Sequence, residues 1–125
     1  MARRFFVMGA LLALVGVGIG AFGAHGLRAH FAANPNLEAT FQTASDYHLI
    51  HALALLGVAW AVERWNHRLL VWGGYLLVLG AILFSGSLYL FSIANMRAMG
   101  AVAPLGGLAL LAGWACLALG VWRSN

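Results

Sequence analysis

Among its 125 residues the chain has no lysine, three acidic residues, two prolines and one cysteine. Charged side chains make up 8% of it, against roughly 25% in a soluble domain. No water-facing surface can be built from so few, and a separate soluble domain is excluded. The lone Cys116 lies inside an apolar run. It cannot form an intramolecular disulfide, says nothing about redox compartment, and reads as a small packing residue. Seven arginines against Glu38, Asp46 and Glu63 leave a net charge of +4. A soluble protein with that balance would suggest nucleic acid. Here the arginines stand singly or in pairs beside apolar runs, the pattern that orients membrane proteins, so membrane lipid is the expected partner and nucleic acid is not.

What the chain does have is 63% hydrophobic residues, 16 glycines and a mean hydropathy of +0.90. A crossing helix needs roughly 20 apolar residues, so there is room for four crossings with short links. The first run, Phe5 to Leu27, follows Arg3 and Arg4. It exceeds a signal-peptide core of roughly 7 to 15 residues and reads as a retained span. The second run is purely apolar only from Ala52 to Val62. Counting back about 20 residues from Val62 reaches Thr43 and brings Asp46, His48 and His51 to membrane depth. The third span covers 69–93 and the fourth 101–122, with Pro104 in the first turn of the fourth, where a missing N–H costs least.

The outer link, 28–42, contains Asn34, Pro35 and Asn36, a turn expected to cap a helix running from about Leu37 to Arg64. The other links are short and imply antiparallel neighbours. The expected fold is therefore all-α, a single membrane domain forming a left-handed antiparallel bundle of four transmembrane helices. With both termini in the cytoplasm, Arg3, Arg4, Arg64, Arg68 and Arg123 lie inside, and only Arg28 and Arg97 outside, as the positive-inside rule favours.

Helices in lipid associate through close approach of small residues. Gly9, Ala13, Gly16, Gly20 and Gly23 form one such seam on span one, and Ala109, Ala112, Gly113, Cys116 and Gly120 another on span four; span two offers Gly57 and Ala61. These are expected to pack helix on helix, with a homo-oligomer contact as the other use.

At a rise of about 1.5 Å per residue, His51 lies roughly 16 Å above the inner end of its span, His48 about 21 Å and Ser85 about 24 Å. Helical stepping puts Tyr47, His48 and His51 on one face of span two. Ser85 and Tyr89 share a face of span three, with Ser87 opposite, and His25 reaches the outer interface. Ionisable groups at membrane depth usually face the bundle interior or a cavity, so these seven residues are the candidates for a ligand site or polar cavity. The alternative is that each histidine ties two helices together. His51 is expected to bond across to Ser85 or Tyr89, or to a water in an outward-facing cavity lined by Tyr47, Ser85 and Tyr89. Two histidines three apart, with no cysteine or partnered carboxylate, make a poor metal or haem site. No metal, cofactor or catalytic residue is assigned.

The runs Gly20-Ala-Phe-Gly-Ala-His-Gly-Leu27, Tyr47-His48-Leu-Ile-His-Ala-Leu-Ala-Leu-Leu56, Leu83-Phe-Ser-Gly-Ser-Leu-Tyr89 and Pro104-Leu-Gly-Gly107, followed by Gly113-Trp114, together resemble the membrane-protein family called domain of unknown function 423. The resemblance covers nearly the whole chain. It implies a four-span membrane protein, with His25, Tyr47, His51, Ser85, Ser87, Tyr89 and Pro104 at characteristic positions and His48 less so; the expected location is the bacterial inner membrane. It implies no reaction, ligand or protein partner. With no catalytic constellation, the expected role is that of an accessory or scaffold component packed against a larger membrane complex or lipid. The alternative is a small-molecule or ion carrier using the histidine-lined outer half.

Overall fold

The computed structural model describes residues 1–124. Helix α1 covers Ala2–His25, α2 Arg28–Ala33, α3 Pro35–Trp65 and α4 Arg68–Ala94; a 3₁₀ turn at Arg97–Ala101 leads into α5, Ala103–Trp122. Four of these stretches are long and apolar enough to cross a membrane, the last counted with its 3₁₀ turn. Two asparagines end the central helices: Asn66 after α3 and Asn95 after α4 take φ of 44° and 53°. Asparagine tolerates this left-handed conformation better than most residues. Proline opens α3 and α5 at their first turns, where no intrahelical donor is lost. Leu69 N donates to His67 Nδ1 at 3.2 Å, capping α4.

Two expectations about the outer link are corrected. Part of it is helical: α2 forms a short turn of helix whose Phe31 is buried. Asn34 does not cap α3 through its side chain. Its Nδ2 donates instead to the His30 carbonyl at 3.0 Å, closing the end of α2. The second helix thus gives up a side-chain cap because the preceding helix, unforeseen in the sequence, has free carbonyls of its own.

The four crossing helices form an antiparallel bundle packed in chain order. α1 lies on α3, α3 on α4 and α4 on α5, while α1 and α5 share no packed interface among the described residues. The apolar windows of α3 and α4 are accordingly 44% and 39% buried, against 17% for α1 and 22% for the fourth crossing segment. α3 and α4 are the centre, and one seam of the bundle stays open. The first turn of α1 also reaches α4. There Phe5, fully buried, lies against Gly74 and the ring of Tyr75, 5.1 Å between centroids.

Glycine sets how closely the pairs approach. None has positive φ, so none is needed for backbone freedom. Gly9, Gly16 and Gly23 are the buried members of the α1 seam, recurring every seventh residue; Ala13 and Gly20 are half-buried at its edge. A Cβ on Gly9 would come within 2.7 Å of the Ala52 carbonyl oxygen, and one on Gly16 within 2.7 Å of Leu49. On Gly23 it would strike the Phe41 ring. Gly113 and Gly120 do the same for α5, where a Cβ would lie 2.8 Å from Leu77 and from Leu70. Gly106 presses on the Phe84 backbone. Ala112 is exposed and Gly57 faces open space, so neither belongs to a seam.

These approaches yield a contrast. Gly106→Val must push α5 off α4 and should destabilise by about 2 kcal/mol. Gly57→Ala meets no neighbour and should leave stability unchanged or raise it by about 0.5 to 1 kcal/mol through helix propensity. Thermal unfolding in detergent micelles measures both.

Candidate functional site

An unbroken α3 carries its polar residues inward past the point where the apolar sequence begins. His48 and His51 are 5% and 4% exposed, and Tyr47 is 43% exposed. Although the histidines stand one turn apart, they reach different helices. His48 Nδ1 pairs with the Tyr89 hydroxyl of α4 at 2.9 Å. Its Nε2 faces α1, where a Cβ on Gly16 would lie 3.4 Å away, and it has no hydrogen-bond partner among the described residues.

His51 turns toward α5. Its Nδ1 bonds the Tyr47 carbonyl at 2.6 Å, and Trp114 Nε1 donates to its Nε2 at 3.1 Å. A carbonyl only accepts and an indole N–H only donates, so the two bonds together define a neutral imidazole with its proton on Nδ1. The expectation that His51 bonds to Ser85 or Tyr89 on the third span is therefore corrected. Tyr89 belongs to His48, and the partner of His51 is on the fourth span. The assumption behind that expectation, that the nearest polar residues by depth on the adjacent span meet, ignores the roughly 60° between the two histidines around the helix axis.

The other candidates divide. Ser87 Oγ donates to the carbonyl of Phe84 at 2.9 Å, a serine bonding back to its own helix. Ser85 is 1% exposed, and its hydroxyl finds no partner among the described residues. His25 ends α1 exposed, outside both histidine pairs. The cavity expected between Tyr47, Ser85 and Tyr89 is not the space observed. Instead, a groove of about 680 Å³ runs beside Tyr47 and His51, bounded by Phe84 of α4 and by Pro104, Gly107 and Trp114 of α5. Among the described residues no three His, Cys, Asp or Glu side chains come close enough to share a metal ion.

Three contributors escaped the sequence reading. Trp114 was noted only as part of a motif, although an indole N–H at membrane depth requires an acceptor, which was the available signal. Phe84 packs tilted against Tyr47, 4.6 Å between ring centroids. His30 donates from Nε2 to the Ser92 carbonyl at 2.8 Å and fastens α2 to α4. From it an aromatic series leads inward. Phe31 lies 5.2 Å from Phe41, Phe41 5.5 Å from Tyr89, and Tyr89 5.8 Å from His48.

Four apolar crossing helices, tied at their centre by histidine bonds to tyrosine and tryptophan, define an all-helical multi-pass membrane protein. Residues 19–107 match the family described as Protein of unknown function (DUF423), and the chain belongs to it. It is similar to the UPF0382 membrane protein SH2409 of Staphylococcus haemolyticus, 37% identical over 97% of each chain. It is also similar to the UPF0382 membrane protein YwdK of Bacillus subtilis, 39% identical over 90% of each. The UPF0382 inner membrane protein YgdD of Escherichia coli is 38% identical over 98% of this chain and 93% of its own. No solved structure matches.

The pairings make separable predictions. Tyr89→Phe leaves the His48 nitrogen unpaired and should cost about 1 to 3 kcal/mol; His48→Ala combined with Tyr89→Phe should cost less than the sum of the two, by about 0.5 kcal/mol or more. In ¹⁵N NMR of histidine-labelled protein, His51 should show the Nδ1–H tautomer, and Trp114→Phe should shift its Nε2 resonance while leaving that of His48 in place.

Proposed function

We propose that this chain is an accessory component of the bacterial inner membrane, with both termini in the cytoplasm, which packs laterally against a larger membrane complex or against lipid. The observation that carries this reading is the open seam. α1 and α5 are each packed on one side only and carry large apolar side chains outward, including Leu14 and Val17 on α1 and Leu108 and Leu111 on α5. The buried imidazoles support it further, because His48 and His51 are engaged within the protein and act as ties between helices. The inner-membrane location draws on the names of the Escherichia coli relatives, and the orientation on the arginine distribution.

A carrier would need the histidine face to line a water-accessible path. The groove beside His51 is the one observation in favour of that reading. Its outer rim is formed by Ile50, Leu108 and Leu111, all exposed apolar residues, so it opens sideways toward lipid.

Extraction in native lipid followed by affinity purification should recover a membrane protein in stoichiometric amount. Recovery of the chain alone, together with uptake of a solute into proteoliposomes, would overturn the accessory reading in favour of the carrier. A reporter that is active only in the cytoplasm should work when fused after Asn125, and a cysteine placed at Asn34 should react with an impermeant reagent from outside.

A further inference from the structure

The groove between α3 and α5 has a chemistry of its own. Its volume of about 680 Å³ falls within the range of small-molecule sites, roughly 300 to 1,000 Å³. None of its lining residues carries a formal charge, and its one imidazole meets Tyr47 and Trp114 in the uncharged Nδ1–H form. A phosphate or carboxylate would find no counter-charge there, and burying one unpaired in hydrocarbon is prohibitive. An uncharged occupant is required.

One donor in the wall is free. Trp114 N–H is bonded to His51. Tyr47 gives its carbonyl to His51, and its ring stacks on His51 and lies tilted against Phe84, while its hydroxyl has no partner among the described residues. Its backbone lies about 22 Å up its span on a rise of 1.5 Å per residue, in the outer part of a hydrocarbon core of about 30 Å, where a hydroxyl facing hydrocarbon without a partner is costly. The occupant should therefore present an acceptor oxygen at that depth.

The wall also has an uncovered ring. Gly106 brings α5 hard against the Phe84 backbone, and next to it a Cβ on Gly107 would meet only Phe84 Cδ2, at 3.8 Å. With no side chain at Gly107 the Phe84 ring is left open to the groove, beside Tyr47. Aromatic rings favour offset or tilted contact with another ring.

We infer that this groove binds an uncharged lipid with a flat, carbonyl-bearing ring, of the isoprenoid-quinone class: the ring lies against Phe84 and Tyr47, a ring carbonyl accepts from the Tyr47 hydroxyl, and the tail leaves between Ile50 and Leu108 into the bilayer. This goes beyond the accessory role and does not depend on it.

The test uses the full chain in phosphatidylcholine nanodiscs with a photoreactive short-chain ubiquinone analogue, and the labelled peptides are mapped by mass spectrometry. Saturable labelling of α3 and α5 peptides is expected, competed by decylubiquinone and not by dioleoylglycerol. Gly107→Leu should fill the space in front of Phe84 and weaken binding on the order of tenfold. Tyr47→Phe, which keeps the ring, should weaken it about fivefold, the worth of one hydrogen bond. Thermal unfolding of each variant checks that the fold is retained; if Gly107→Leu unfolds, Tyr47→Phe decides alone. Labelling that does not saturate, that dioleoylglycerol displaces equally well, or that is undiminished in the folded variants overturns the inference.

Discussion

In hydrocarbon a polar group that does not find its partner inside the protein finds none, and most of this structure follows from that constraint. It makes every crossing segment a helix, because a helix satisfies its own backbone. It then acts on the side chains that α3 carries below the interface. His48 is drawn to Tyr89 of α4 and His51 to Trp114 of α5, so the helix with the most polar sequence is joined through these bonds to both helices that follow it. Ser87 and Ser92 solve the same problem locally, by bonding to carbonyls of α4 itself. Only Ser85 Oγ and His48 Nε2 are left buried and unpartnered among the described side chains.

The second influence is the distance between helix axes. With apolar solvent outside and apolar side chains inside, burial contributes little drive, and packing depends on how closely backbones approach. The Gly9, Gly16 and Gly23 row lets α1 settle on α3; Gly73, Gly80, Gly106 and Gly113 bring α4 and α5 together. Both rows serve neighbours in the chain. No comparable row joins α1 to α5, and those two helices share no packed interface among the described residues. The same close approach at Gly106 exposes Phe84 beside Gly107, so the packing of α5 creates the groove next to His51.

Much of the architecture was legible. Four crossings, the long second helix beginning near Asn34, and the proline at the start of the last helix are all properties of composition and local order. The glycine seam on α1 was legible as well, though its buried members recur every seventh residue and the half-buried Ala13 and Gly20 only flank them. The small helix α2 was hidden, because six residues that include Arg28 and His30 lack a long apolar pattern. It is held by tertiary contacts, Phe31 in the outer core and the His30 bond to Ser92.

The sequence by itself determined that the chain lives in a membrane, how many times it crosses, and which residues are brought to depth with polar atoms to satisfy. Each of these depends on the length and hydropathy of contiguous segments. Which partner each polar atom takes was decided only by the tertiary structure. A neighbour across a helix interface depends on rotation about both helix axes as well as on depth, and rotation is fixed by packing. That is why Tyr89 meets His48 and not His51, why Trp114 enters the site, and why the space beside the histidine opens along α5 instead of between α3 and α4.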